Sequence, residues 1–170
     1  MIITTERLVL EQFTTDDAAF MLELLNSPGF IKYIGDRNVR TVAEAAKYLE
    51  NSALKSYNDF GYGVWKVSLK DKIPVGLCGL INRETLDDID LGFAFLPKYE
   101  RLGYGYEAAI ACLDYARSVL KLNRIVAFTS LENIPSQNLL VKLGFTFERI
   151  IKVQPLNADV KLFGLLLDKV

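Results

Sequence analysis

YERLGYGYEAAIACLDYARSVL, residues 99–120, sets the architecture expected of this 170-residue chain. Two glycines one residue apart, Gly103 and Gly105, open a long helical pattern behind a crowded, charged loop. Ser, Thr or Asp would cap a helix better, so glycine answers some other need. One such need is a strand-to-helix turn with positive φ angles. The other is an anion site. The first N–H groups of a helix have no intrahelical partners and the positive dipole end lies behind them. Glycine removes the Cβ atoms that would hold a phosphate away. Behind the glycines, Ala108, Ala109, Cys112, Leu113, Ala116 and Val119 or Leu120 recur at helical spacing, a narrow face suited to close packing on a sheet.

Outward from this helix the pattern is a mixed one. "RLVLEQF" (7–13) alternates as a strand, and "TTDD" caps a helix running to about Asn26, with Phe20, Leu24 and Leu25 toward the core. "NSPGF" reads as a break. Thr41 with Glu44 has capping-box spacing and starts a helix to about Tyr57. "YGVWKVSL" and "PVGLCGLIN" form a hairpin around "KDK"; "RETLDD" is a polar turn, and "IDLGFAFLP" is a third strand. "RIVAFTSL" (124–131) is a buried strand, "SQNLLVKLG" a short helix closed by Gly144, and "FTFERIIKV" and "VKLFGLLL" are two final strands. The expected fold is α/β in the α+β sense: one domain over 1–170, a mostly antiparallel twisted sheet of six to seven strands, and about four helices.

Composition excludes several classes. Half the residues are apolar and the net charge is -1, so the basic field of a nucleic-acid binder is missing. The N-terminus is charged too early for a signal peptide, and no apolar run approaches a membrane span, so a cytoplasmic protein is expected. Cys78 and Cys112 lie in apolar contexts and read as buried free thiols. The chain has no histidine, which removes Ser–His and Cys–His nucleophiles and His-ligated metals; no metal is expected. Proton transfer falls to carboxylates, Tyr, Lys, Ser, Cys, backbone or water.

Two phosphate ligands fit the glycines. Gly103-x-Gly105-x-x-Ala108 satisfies the dinucleotide fingerprint, with Glu132 ending the next strand where a ribose-binding acid belongs. Against it, "PKYERL" separates the strand from the first glycine. The other ligand is coenzyme A. The loop resembles the acetyl-CoA loop of the GCN5-related N-acetyltransferase (GNAT) superfamily, Gln/Arg-x-x-Gly-x-Gly/Ala between strand and helix. "TERLVL", "DLGFAFLPKY", Glu107 and "NIPSQNLLVKLGF" resemble the branch of the ribosomal-protein N-terminal acetyltransferases, the RimJ/RimL-like group, so the likeness spans nearly the whole chain.

That resemblance implies a mechanism. The coenzyme's diphosphate would lie on the amides of Arg101, Leu102, Gly103, Gly105 and Tyr106, and its pantetheine along Phe93, Phe95 and Leu96 as an added strand. A free N–H near Phe95 would polarise the thioester carbonyl. Asn133 matches the coenzyme-contacting Asn, or is an ordinary cap. Ser136 matches a hydroxyl near the sulfur, or is a cap in its helix's first turn. Asp90, at the acidic position of the family's strand motif, is the first candidate for the general base, and Glu84 the second; both otherwise belong to a solvated hairpin tip. The sequence departs from the family at Glu100, which stands where Gln or Arg is usual, and at Leu140, which stands where many relatives place an acidic Tyr. Trp65 and tyrosines 57, 62, 104 and 106 either line the acceptor groove or fill the core. The implied activity is direct acetyl transfer from acetyl-CoA to a primary amine, a protein N-terminus or a small amine, by a monomer or homodimer. A non-catalytic acyl-CoA-binding module and an NAD(P)-binding oxidoreductase are the alternatives.

Overall fold

Period-two alternation in "VWKVSL" and "PVGLCGLI" becomes β3 (Val64–Leu69) and β4 (Pro74–Ile81), an antiparallel pair closed around Lys72 at a φ of 68°. These strands lie inside an eight-stranded sheet in the computed structural model, which describes residues 2–153 and 157–167. The remaining strands are β1 (Ile2–Thr4), β2 (Leu8–Glu11), β5 (Asp90–Phe95), β6 (Arg124–Ser130), β7 (Thr146–Val153) and β8 (Ala158–Leu166). Their order is β1-β2-β3-β4-β5-β6-β8-β7. Every neighbouring pair is antiparallel except β5 and β6. The count exceeds the six to seven strands expected, because the three-residue β1 pairs with β2 across the "TERL" turn. Three residues carry too little alternation to announce a strand.

The helices are α1 (Ala18–Leu25), α2 (Pro28–Tyr33), α3 (Val42–Leu49), α4 (Lys55–Phe60), α5 (Tyr104–Ser118) and α6 (Ile134–Lys142). Four were expected, and "NSPGF" is not a break. Ser27 in extended conformation precedes Pro28 at the first helical position, where its missing N–H costs nothing, so α2 starts there. The Thr41 capping box forms: Thr41 Oγ1 accepts from Glu44 N at 3.2 Å, and Glu44 Oε2 accepts from Thr41 N at 3.1 Å. α3 and α4 are one rod interrupted by a π-helical turn over Glu50–Leu54, so the helix ends at Phe60 rather than Tyr57.

Each face of the sheet carries a core. On one, Ala108, Ala109, Cys112 and Ala116 of α5 are fully buried against Trp65, Cys78 and Leu80, the small side chains letting the helix lie close. Of Val119 and Leu120, the alternatives for the end of that face, Leu120 packs against the core and Val119 is exposed. On the other, Phe13, Met21, Leu24, Leu25 and Leu49 pack α1 and α3 together. Burying one such leucine contributes about 2 kcal/mol. Cys78 and Cys112 are buried free thiols whose sulfurs lie 3.6 Å apart, and apolar burial pushes the Cys112 thiol well up.

β5 and β6 share a single register pair, Asp90 with Val126, against six pairs for β4–β5 and seven for β6–β8. Beyond that pair the sheet opens into a wedge, and in the chain α5 connects the end of β5 to the start of β6.

Candidate active site

The wedge leaves backbone groups unpaired. Val126 N donates to Ile89 O at 3.0 Å, and Leu96 N donates to Val75 O at 2.9 Å. Since alternate residues of a strand point their N–H and C=O to opposite sides, Phe93 and Phe95 turn theirs toward the opening. Leu96 does not. Its amide is held by β4, its carbonyl accepts from Tyr99 N, and its side chain is buried in the α1–α3 core. The expectation that Leu96 offers a coenzyme contact on this strand is therefore corrected, for reasons of parity.

At the mouth of the wedge, a 3-10 turn (Pro97–Tyr99) leads into the glycine loop. None of the amides of residues 101–106 donates to another group among the described residues, and Glu107 N is the first to do so, to Gly103 O. Arg101, Leu102, Gly103, Gly105 and Tyr106, the expected cradle, thus present a run of unused donors at the start of a 15-residue helix. The two glycines differ in purpose. Gly103 takes a φ of 84°, which favours glycine. A Cβ on Gly105 would sit 3.3 Å from Leu139 Cδ2 and 3.5 Å from Phe95 Cε2, so its absence lets α5 close on α6 and β5. The Glu100 carboxylate swings away to the first turn of α2, 3.6 Å from where Gly29 would carry a Cβ.

Sequence reasoning missed what braces this loop. Thr5 Oγ1 donates to Glu107 Oε1 at 2.6 Å, Arg7 N to the same oxygen at 2.8 Å, and Arg7 Nε to Glu107 Oε2 at 2.7 Å. Arg7 Nη1 donates to Leu102 O at 2.9 Å, and the guanidinium lies 4.8 Å from the centre of the Tyr104 ring. Burial pushes the Glu107 carboxyl up, but the Thr5 and Arg7 bonds outweigh it and hold the group below the usual carboxylate range. "TERL" and Glu107 are two ends of one clamp, a hundred residues apart.

Inside the wedge is a cavity of about 550 Å³ bounded by β4–β6, α6 and the α2–α4 layer. Asp90 lines it at the split point and is 2% exposed. Its Oδ1 accepts from Arg83 Nε at 2.9 Å, and the Arg83 guanidinium lies 4.9 Å from the Phe128 ring centre. Burial pushes the Asp90 carboxyl up to about 6, against the pull of Arg83. Glu84 stands exposed at the rim. Asn133 and Ser136 both line the cavity. Asn133 is the N-cap of α6, its Oδ1 accepting from Ser136 N at 3.2 Å. The cap is thus Asn133, and the Ser136 hydroxyl takes no part in it. Leu140, buried, fills the position where an acidic Tyr is usual.

Of the two places open to Trp65 and tyrosines 57, 62, 104 and 106, the cavity lining takes none of them. Trp65 is buried edge-on against Tyr115, 5.1 Å between ring centres, and Tyr62 is buried. Tyr57 donates to Val64 O and accepts from Phe13 N, with its phenol pushed up to about 12 by burial. Tyr104 stacks under Arg7 and Tyr106 under Lys142, and neither lines the cavity. The cavity takes its aromatic lining from Phe30, Tyr33, Tyr48, Phe60, Phe93 and Phe128. Among the described residues no cluster of three metal-ligating side chains forms, and no helix is long and apolar enough to cross a membrane.

A split parallel pair leading to a cradle of free amides makes a cleft suited to an extended ligand with an anionic end. Residues 7–146 match the acetyltransferase (GNAT) domain, and the chain belongs to that family. It is an acetyltransferase that uses acetyl-CoA, which sets the dinucleotide reading aside. It is 29% identical to the uncharacterized N-acetyltransferase YnaD of Bacillus subtilis, over 89% of this chain and 86% of that one. A GNAT-family acetyltransferase from Bacillus anthracis superposes with a TM-score of 0.80 at 28% identity, covering 98% of both chains. RimL, the ribosomal L7/L12 α-N-protein acetyltransferase solved with coenzyme A, shares the fold with a TM-score of 0.81 at 17% identity, both chains covered fully.

Proposed function

We propose that residues 1–170 act as one cytoplasmic enzyme of the RimJ/RimL-like branch, acetylating a primary amine by direct transfer in a ternary complex. The acceptor is a protein N-terminal α-amine or a small amine. The observation that carries the reading is the continuous path from the free amides of residues 101–106, along the open edge of β5, to the buried carboxylate of Asp90. Acetyl-CoA supplies the activated carbonyl and a thiolate leaving group. The amides of Arg101, Leu102, Gly103, Gly105 and Tyr106 hold its diphosphate, with Asn133 alongside. Phe93 and Phe95 pair with the pantetheine, and the Phe95 N–H stabilises negative charge on the carbonyl oxygen.

Asp90 removes one proton from the amine through water as the C–N bond forms. With a carboxyl near 6, it is ionised at neutral pH yet basic enough to help an α-amine whose own pKa is ~8. Glu84 at the rim is the second candidate. Ser136 gives its hydroxyl proton to the thiolate as the C–S bond breaks and regains one from water, which also takes up the proton that Asp90 carried off. The two close, unbonded thiols favour a reducing compartment.

Thermal unfolding with acetyl-CoA, coenzyme A, NAD and NADP in parallel tests the cofactor half. A ligand at ~100 times its Kd adds about 2.7 kcal/mol, so the coenzyme A pair alone is expected to raise Tm. Thiol release with a panel of amines tests the other half. Binding of coenzyme A with no amine turned over would make the chain a non-catalytic acyl-CoA module.

A further inference from the structure

Among the described residues, the cavity lining carries one cation without a partner of its own. Lining residues Asp90 and Arg83 neutralise each other, and so do Lys55 and Asp59, one turn apart on α4. Arg37, in the segment between α2 and α3, lines the same cavity half-buried and has no hydrogen-bond or ion-pair partner among the described residues. Its neighbours in sequence are engaged elsewhere: Asp36 pairs with Arg40, whose Nη1 also donates to Asn26 Oδ1 at 2.9 Å. The carboxylate left over in the lining is Glu84, out at the exposed rim.

A half-buried guanidinium is costly to leave unpaired in a cavity also lined by Phe30, Tyr33 and Ile34. It cannot lose its proton, and its planar fork matches a carboxylate or phosphate with two parallel bonds. In an apolar cavity such a charge contact is stronger than in water. It also repels a polycation.

We infer that the acceptor is an amine that also carries an anionic group, and that Arg37 receives that group. This rests on the amine-acceptor reading above. Two sources present the same chemistry: a free amino acid, by its α-carboxylate, and a peptide whose first residue is acidic.

Matched acceptors separate them. Acetyl transfer is measured with leucine against leucinamide, and with amidated tripeptides beginning in glutamate against glutamine. Spermidine serves as a cationic amine. In the native protein the anionic member of one pair is expected to be favoured in kcat/KM by about tenfold or more, and the pair showing the preference names the source. In Arg37→Gln the ratio falls to about one while acetyl-CoA affinity and Tm hold. Arg37→Lys keeps part of it. Equal use of anionic and neutral amines, a preference for spermidine, or a ratio that survives Arg37→Gln overturns the inference and leaves amine acetylation standing. No acetylation of any amine overturns the amine-acceptor reading and this inference together.

Discussion

The two halves of the cleft are made of different material. The proposed coenzyme half is main chain: amides 101–106 and the open edge of β5, held by the Arg7–Glu107 clamp. The proposed acceptor half is side chain: Tyr33, Arg37, Tyr48 and Phe60 from the α2–α4 layer line the same cavity as Asp90 and Ser136. A backbone site tolerates sequence drift as long as its conformation persists, so it serves any chain of the family. A side-chain site changes with each substitution. One fold can therefore keep its co-substrate while its acceptors diverge.

The largest expected effect falls on the backbone half. Gly103→Val forces a β-branched residue to a φ of 84°, with its Cβ 3.1 Å from Arg7 Nη2. Acetyl-CoA affinity is expected to drop by more than about a hundredfold, and stability by roughly 1–2 kcal/mol for the left-handed backbone. Calorimetric titration and Tm read the two effects separately, and unchanged affinity would break the comparison at once.

Asp90→Asn comes next, in the side-chain half. Loss of a positioned base lowers kcat by about a hundredfold with acetyl-CoA affinity intact. The pH profile sharpens this. With the carboxyl at about 6, native activity rises through that pH as the base ionises, and the variant loses that limb. Stability runs the other way. The folded value lies above the unfolded one, so between about pH 4 and 6 the native state binds more protons, and stability falls as pH rises. In Asp90→Asn that slope disappears from a melting series.

Arg7→Gln, a smaller change, is expected to weaken acetyl-CoA by about tenfold, because it leaves Glu107 uncompensated beside a dianion site. The double variant Arg7→Gln with Glu107→Gln then recovers part of the loss. Affinity for acetyl-pantetheine, which lacks the diphosphate, stays level. A parallel loss for both ligands would make the clamp a general structural brace. Smallest is Ser136→Ala, a few-fold fall in kcat with affinity unchanged. A fall in Tm with normal turnover would return Ser136 to a purely structural role.

The same division explains what the sequence made legible. Local rules placed the Thr41 box, the α5 face and Gly103, since each depends on residues within a turn or two. The α2 start at Ser27–Pro28 was open to the same rule, but the adjoining Gly29 read as a break. The phase of β5 that turns Leu96 away from the opening depends on which side β4 pairs. The Arg7–Glu107 clamp and the α2–α4 lining exist only once segments distant in sequence meet. Leu140 and Glu100 were visible departures. What replaces their usual chemistry is a matter of where Ser136 and Gly29 stand in space.

The single register pair between β5 and β6 has a mechanical consequence. Strands β1–β5 and β6–β8 form two well-bonded plates, and the sheet's weakest seam runs through the reaction centre. A bound thioester lying along β5 and under α6 stitches that seam. Amides of Val126 and its neighbours should then exchange slowest with hydrogen's heavier isotope when the cleft is filled, and the plates should loosen each time product leaves.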